Sequence, residues 1–356
     1  MSNKILLCGN EAMAEAAIRA GCRYYYGYPI TPQNEITAYM SKRMPQVDGT
    51  FIQAESELAA INMVFGTATT GKRVMTSTSS PGMSLKQEGM SYLAGCELPV
   101  VVINVMRAGP GLGGIAGSQA DYFQATRGGG HGDYRSIVLA PESVQEAADL
   151  AQKAFCLADK YRIVTMLLLD GVLGQMREPV EIKEHKDNES YDKSWCLAGC
   201  KDREPNVIRS LYLREGKLEI LNKKLQAKYK LIEKNEVCAD CYRTQDAETI
   251  IVAYGTPARM CRAVVDKLRE KNLKVGLFRP ISLWPFPEKI LRNVMEGARQ
   301  CLVVELSAGQ LIEDVKLSIG NSKPIEFLGK MGGSYMTLDE IENKLDNVMS
   351  KNGARL

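Results

Sequence analysis

Three side chains in the first third of the chain have the types and spacing for chemistry on a bound molecule. Glu57, with Glu55 two positions before it, opens an alanine-rich segment of helical pattern. Thr31 sits between two prolines in Tyr28-Pro29-Ile30-Thr31-Pro32, and Arg107 follows the apolar run Val100–Val105 and precedes the glycine-rich run Gly109–Gly117. A carboxylate at a helix start can exchange a proton with a ligand, a hydroxyl on a rigid backbone can bond one, and an arginine can grip a carboxylate with two parallel hydrogen bonds. Each residue alone also has a plain structural reading. An acid near a helix N-terminus is favoured by the macrodipole, threonine followed by proline is an ordinary N-cap and first helical position, and a lone arginine after a strand sits on the surface. Capping does not explain the whole Tyr-Pro-Ile-Thr-Pro string at a strand end, where Pro29 and Pro32 hold Tyr28 and Thr31 extended around Ile30.

Positioning these groups falls to an alternation of short apolar runs and helical segments. Strands are predicted over Ile5–Cys8, Tyr24–Tyr28, Thr50–Gln53, Val74–Ser77, Val100–Val105, Ile137–Leu139 and Ile163–Leu169, with helices such as Ala12–Ala20, Glu35–Met44 and Val144–Ala158 between them. That rhythm implies an α/β fold with a doubly wound, mostly parallel sheet. Gly, Pro, Ser and Asn cluster just after the strands, at the carboxyl edge where open parallel sheets bind ligands. The pattern breaks into a polar stretch over Glu181–Glu189 and a charged segment over Glu215–Glu236, read as a connector with an exposed helical arm. It resumes with strands at Ile250–Tyr254, Val275–Phe278 and Leu302–Glu305 and helices at Thr256–Lys271, Gln310–Ile319 and Leu338–Val348. The expected organisation is therefore residues 1–180, a connector over 181–245, and a smaller α/β domain over 246–356.

Composition narrows the class. The 356 residues are 45% hydrophobic and 24% charged, with a formal net charge of +3 and no basic block, so neither nucleic acid nor an anionic membrane is an expected partner. No apolar stretch has the length of a membrane span, and Met1–Lys4 does not begin a secretory signal; a cytoplasmic protein is expected. The ten cysteines then read as reduced thiols, with Cys156 and Cys301 in apolar runs. Cys238-Ala239-Asp240-Cys241 with Cys196 and Cys200 upstream would be a weak zinc or iron–sulfur signal, and no metal ligands are expected. His131 and His185 are read as surface residues.

The motif string resembles the substrate-binding signature of the 2-oxoacid:ferredoxin oxidoreductases, and the resemblance extends over nearly the whole chain. It continues in Gln53–Asn62, Ser79-Ser80-Pro81-Gly82, Met106–Pro110, Ala253–Thr256 and Arg279-Pro280. The match is best to the pyrimidine-domain, alpha-type subunit of the branched-chain, 2-oxoisovalerate (3-methyl-2-oxobutanoate) enzymes, with the 2-oxoglutarate enzymes next. It implies a thiamine diphosphate pyrimidine-type domain followed by a transketolase C-terminal-like domain. Thiamine chemistry wants a carboxyl on N1′ of the aminopyrimidine, which stabilises the imino tautomer that removes the C2 proton. In thiamine enzymes the active glutamate opens a helix with glycine nine positions on; Glu57 and Gly66 fit, whereas the same count from Glu55 reaches Val64. The resemblance gives Thr31 and Arg107 to the substrate carboxylate, and Tyr28, Pro29, Ser80, Pro81 and Gly82 to the cofactor beside Glu57. The Ser79–Gly82 string would also pass for a plain turn, and the glycines of Gly109–Gly132, which lack a dinucleotide fingerprint, read as a mobile loop near substrate.

What is missing points to partners. The Gly-Asp-Gly that begins the diphosphate and metal segment of thiamine enzymes is absent: Asp170-Gly171 follows Leu169, and Gly132-Asp133 lacks the final glycine. No ferredoxin-type cysteine run occurs. The resemblance therefore implies that thiamine diphosphate is shared with a beta-type subunit carrying the diphosphate site and Mg2+. Iron–sulfur clusters would lie on partners, including gamma-type and ferredoxin-like subunits; ferredoxin would accept the electrons and coenzyme A the acyl group. A non-catalytic scaffold and a self-sufficient nucleotide-binding oxidoreductase are the competing classes.

Overall fold

The computed structural model describes residues 4–184 and 191–351. His185 and part of the polar stretch over Glu181–Glu189 lie outside the described residues.

The first half runs β1 (Ile5–Cys8), α1 (Gly9–Arg19), β2 (Tyr24–Gly27), α2 (Asn34–Arg43), β3 (Thr50–Gln53), α3 (Glu57–Thr69), β4 (Val74–Thr78), α4 (Ser80–Gly95) and β5 (Val100–Met106). It continues with α5 (Tyr122–Thr126), β6 (Ile137–Leu139), α6 (Val144–Tyr161), β7 (Val164–Asp170), α7 (Gly171–Gln175) and β8 (Arg177–Val180). After α8 (Lys217–Asn235) come β9 (Ala239–Tyr242), β10 (Thr249–Val252), α9 (Gly255–Glu270), β11 (Val275–Pro280) and β12 (Ser282–Trp284). The chain ends with α10 (Glu288–Glu296), β13 (Gln300–Glu305), α11 (Leu311–Ile319), β14 (Ile325–Gly329) and α12 (Leu338–Lys351).

β5 and β7 are buried along their whole length, as strands covered on both faces must be, and pair in parallel at the centre of the larger sheet. That sheet has seven strands in the order β12-β6-β7-β5-β4-β2-β3, and the smaller has five in the order β14-β13-β10-β11-β9. The doubly wound α/β class read from the sequence is what the chain adopts. β1 departs from the expected alternation: it pairs with β8 as a separate antiparallel ribbon. The short strands β8, β9, β12 and β14 were not expected, because none carries the sustained apolar run that marks a central strand.

The charged segment forms a helix, as expected, but not a free arm. Leu225, Tyr229 and Ile232 of α8 are buried, Tyr229 meets Trp284 edge-on at 5.7 Å, and Lys228 bonds both Glu97 (2.9 Å) and the Arg162 carbonyl (3.0 Å). Three inward positions among many charges were too sparse to read as a buried stripe.

The two sheets are tied by polar contacts at the end of β7. Asp170 is fully buried and accepts from the Thr256 hydroxyl at 2.9 Å while capping α7 through the amides of Val172 and Leu173. Burial pushes its carboxyl above the usual range, against the pull of these donors. Gln119 bridges the same seam, donating to the Tyr254 carbonyl and accepting from the Leu306 amide, both at 2.9 Å. Thr256→Val keeps the volume but leaves the Asp170 oxygen short of a donor, so it should lower stability by about 1–3 kcal/mol, read as a lower urea midpoint.

Candidate active site

The Tyr28–Pro32 string leaves the carboxyl end of β2 over a buried hydroxyl network. The Tyr25 hydroxyl is 2.7 Å from that of Ser77 and 3.0 Å from that of Thr37, and Ser77 Oγ donates to Gln33 Oε1 at 2.6 Å. Gln33 in turn donates to the Tyr28 carbonyl at 3.2 Å, which fixes the string from below. Thr31 is not the N-cap expected from its sequence. α2 starts at Asn34 with Gln33 at the N-cap, so Thr31 lies outside the helix; the Thr31–Pro32 bond is cis. The Thr31 hydroxyl is left with a contact from Asn34 Nδ2 at 3.4 Å, and Tyr28 is partly exposed beside it.

Arg107 reaches this string. Its Nη1 donates to the Thr31 carbonyl and its Nη2 to the Leu112 carbonyl, both at 3.0 Å, while Nε is buried without a partner among the described residues. Among the described residues no carboxylate pairs with it. A guanidinium that is 8% exposed and bonded only to carbonyls keeps its charge available to an anion.

The segment Ser79–Gly82 is a helix start rather than a plain turn. Ser79 is the N-cap of α4 with an extended backbone, and Ser80, Pro81 and Gly82 form its first turn, with proline at a first-turn position that needs no amide donor. Ser79 is fully buried, and among the described residues its hydroxyl has no partner. Ser80 Oγ donates to Asp121 at 2.6 Å and accepts from the Arg107 amide at 3.0 Å, and Asn104 Nδ2 also donates to Asp121 at 2.9 Å. Burial pushes the Asp121 carboxyl above its usual range, with these two donors opposing.

Glu57 lies on the other side of the same turn. It opens α3 behind Ser56, whose hydroxyl accepts from the Ala59 amide at 3.2 Å. Glu57 is 5% exposed, and among the described residues its carboxylate has no hydrogen bond or ion pair; Glu55 is exposed. A Cβ on Gly82 would collide with the Glu57 carboxylate and the Thr78 hydroxyl, so only glycine leaves the carboxylate its place. The first turn of α4 thus joins Thr31, Arg107, Ser80, Gly82 and Glu57 at one edge of the sheet.

Sequence reasoning missed Asp121, Asn104 and Lys86. Lys86 lies one turn beyond Gly82 on the inward face of α4, within a stripe of Gly82, Met83, Gly89, Met90 and Leu93. A lysine inside a buried stripe was the signal that could have found it. The glycine-rich segment is exposed over residues 111–115, whereas its later part is fastened to the second half of the chain by Gln119, by Gln310 Nε2 on the Ala120 carbonyl at 2.7 Å, and by Tyr335 on the Gly117 amide at 2.8 Å. His131 is exposed and lies edge-on to Tyr92. Cys301 is buried and Cys156 half-buried, while Cys200 and Cys241 are exposed. Among the described residues no group of three or more His, Cys, Asp or Glu could hold a metal, and no helix is long and apolar enough to cross a membrane.

The chain as a whole is similar to known proteins. Residues 15–245 match the family model described as pyruvate flavodoxin/ferredoxin oxidoreductase, thiamine diphosphate-binding, and residues 247–341 match pyruvate:ferredoxin oxidoreductase core domain II. A ketoisovalerate oxidoreductase subunit VorB from Methanothermobacter marburgensis is 49% identical over 96% of both chains. A 2-oxoglutarate synthase subunit KorA from Archaeoglobus fulgidus is 39% identical over 96% of this chain and 99% of its own. The 2-oxoglutarate:ferredoxin oxidoreductase from Magnetococcus marinus, solved with 2-oxoglutarate, coenzyme A and succinyl-CoA, superposes with a TM-score of 0.88 at 25% identity, over 97% of this chain and 65% of that one. The chain belongs to the 2-oxoacid:ferredoxin oxidoreductases, as a subunit of such an enzyme.

Proposed function

We propose that this chain is the pyrimidine-side subunit of a thiamine diphosphate enzyme that oxidatively decarboxylates 2-oxoisovalerate to its acyl-CoA with reduction of ferredoxin. The observation that carries the reading is Glu57, only 5% exposed and with no hydrogen bond or ion pair to a described residue, which leaves its carboxylate free to bond a ligand at this edge of the sheet. The surroundings fit an aminopyrimidine: Gly82 clears the space against the carboxylate, and Ser79 offers an unused hydroxyl. Tyr28, Pro29, Ser80 and Pro81 would complete that wall. Thiamine diphosphate supplies a nucleophilic carbon for the 2-oxo group and an electron sink for the departing carboxylate. On this chain, Glu57 holds and moves the proton at the pyrimidine ring nitrogen, and Thr31 with Arg107 grips the carboxylate of the 2-oxoacid. Ser80, tied to Asp121, fixes the backbone of Arg107.

The diphosphate, its Mg2+ and the iron–sulfur centres belong to partners in this reading: a beta-type subunit, and gamma-type and ferredoxin-like subunits. The exposed apolar side chains of Tyr28, Ile52, Leu58, Leu85, Leu112 and Ile115, all on elements around the site, support a docked partner there. The chain would divide at about residues 180 and 245, with the 181–245 stretch joining the cofactor-side domain to the smaller one.

Substrate choice rests on the greater identity to the ketoisovalerate subunit than to the 2-oxoglutarate subunit. Reconstituted with its partners and a viologen acceptor, the enzyme should have its highest kcat/KM on 2-oxoisovalerate, by about tenfold or more over pyruvate and 2-oxoglutarate. A preference for 2-oxoglutarate would reverse the assignment.

A further inference from the structure

Lys86 has no place in the chemistry described so far, yet it is fully buried against Glu57. Its Nζ donates to the Thr76 hydroxyl at 3.1 Å and approaches the Glu57 main-chain carbonyl at 3.4 Å. Three N–H groups therefore have two neutral acceptors, and among the described residues no carboxylate is in ion-pair contact. A buried cation with so little compensation is expensive, and methionine, already used at Met83 and Met90 on the same face, would fill the space at no electrostatic cost. Lys86 is 4 residues after Gly82, whose Cβ position lies against the Glu57 carboxylate, so the two residues share one face of α4.

Resting on the reading of Glu57 as the proton-handling group, we infer that Lys86 is a positioning residue whose buried ammonium holds the start of α3 and offsets negative charge on Glu57, keeping that side chain aimed at the pyrimidine ring nitrogen. With thiamine diphosphate bound, the one proton that Glu57 gives up would pass to the ring nitrogen, and the ammonium would offset the charge left on the carboxylate. Burial pulls Lys86 down to about 8, with Glu57 raising it in opposition, so it remains charged at neutral pH. Among the described residues, α3 contributes Glu57 as the ionisable group that acts on it, and β4 contributes the uncharged Thr76.

The test uses the assembled complex carrying Lys86→Met. The readouts are exchange of the C2 proton of bound thiamine diphosphate into D2O by quenched-flow NMR, cofactor affinity, and thermal stability against pH. Exchange should fall by about tenfold or more at pH 7, the effect of losing one close charge, while cofactor affinity is maintained and the thermal midpoint does not fall, since the substitution removes a buried cation. Folded Lys86 releases its proton near 8 rather than 10.5, so the unfolded chain holds more protons between those values and wild-type stability gains as pH rises through the window. Lys86→Met should lack that gain. Unchanged exchange, or an exchange loss matched by losses of affinity and stability, overturns the inference. Should Lys86→Met fail to assemble, Thr76→Val removes the hydroxyl partner of Nζ and should slow exchange in the same direction, and no effect there overturns it equally. Glu57→Gln run alongside separates the two readings: if it too leaves exchange unchanged, the role of Glu57 fails, and if it alone stops exchange, only the role of Lys86 does.

Discussion

Glu57→Gln in the assembled complex should lower kcat by about 10²–10⁴-fold while thiamine diphosphate still binds. The amide keeps the size and can still bond the pyrimidine, but it cannot give up a proton to the ring nitrogen. The loss should therefore appear in kcat and in C2 proton exchange rather than in KM for the 2-oxoacid. Glu55→Gln is the matching control. Glu55 is exposed at the end of the β3–α3 connection and its loss should leave turnover within about twofold, the scale of a surface change. Normal turnover in Glu57→Gln with a full complement of cofactor would remove the proposed chemistry.

Arg107→Lys is the second large effect expected. The lysine keeps the charge but loses the planar fork, and with it the simultaneous bonds to the Thr31 and Leu112 carbonyls that aim the group. A fall in kcat/KM of about 10²–10³-fold should follow, as for truncating a buried charged partner of a ligand. KM for the 2-oxoacid should rise and cofactor affinity should not change. A loss of cofactor affinity with the substrate KM intact would place Arg107 on the cofactor side instead.

Much of the site was legible because it is local in sequence. The prolines of Tyr28–Pro32 announce a fixed backbone, and an acid opening an alanine-rich helix announces Glu57. The nine-residue spacing that favoured Glu57 over Glu55 has no support inside this chain, since a Cβ on Gly66 would meet nothing within 4 Å. Burial of Glu57 beside Gly82 gives the choice a physical ground that spacing alone did not. Asp121, Asn104 and Lys86 were hidden for another reason. Asp121 meets Ser80 and Asn104, and Lys86 meets Glu57, only after segments apart in sequence are laid side by side, and periodicity carries no such information. At Thr31 the local capping rules were satisfied on paper, yet the helix takes Gln33 as its N-cap.

β12 comes from the second half of the chain yet completes the edge of the larger sheet, pairing Ser282 with Leu139 and Trp284 with Val138. During synthesis the β6 edge must therefore wait until more than 140 further residues have been made, with its main-chain groups open to any passing strand. A fragment ending near residue 245, however complete its catalytic side chains, would carry that open edge permanently and should self-associate. Splitting such a gene between its two sheets would thus fail on solubility before it failed on chemistry.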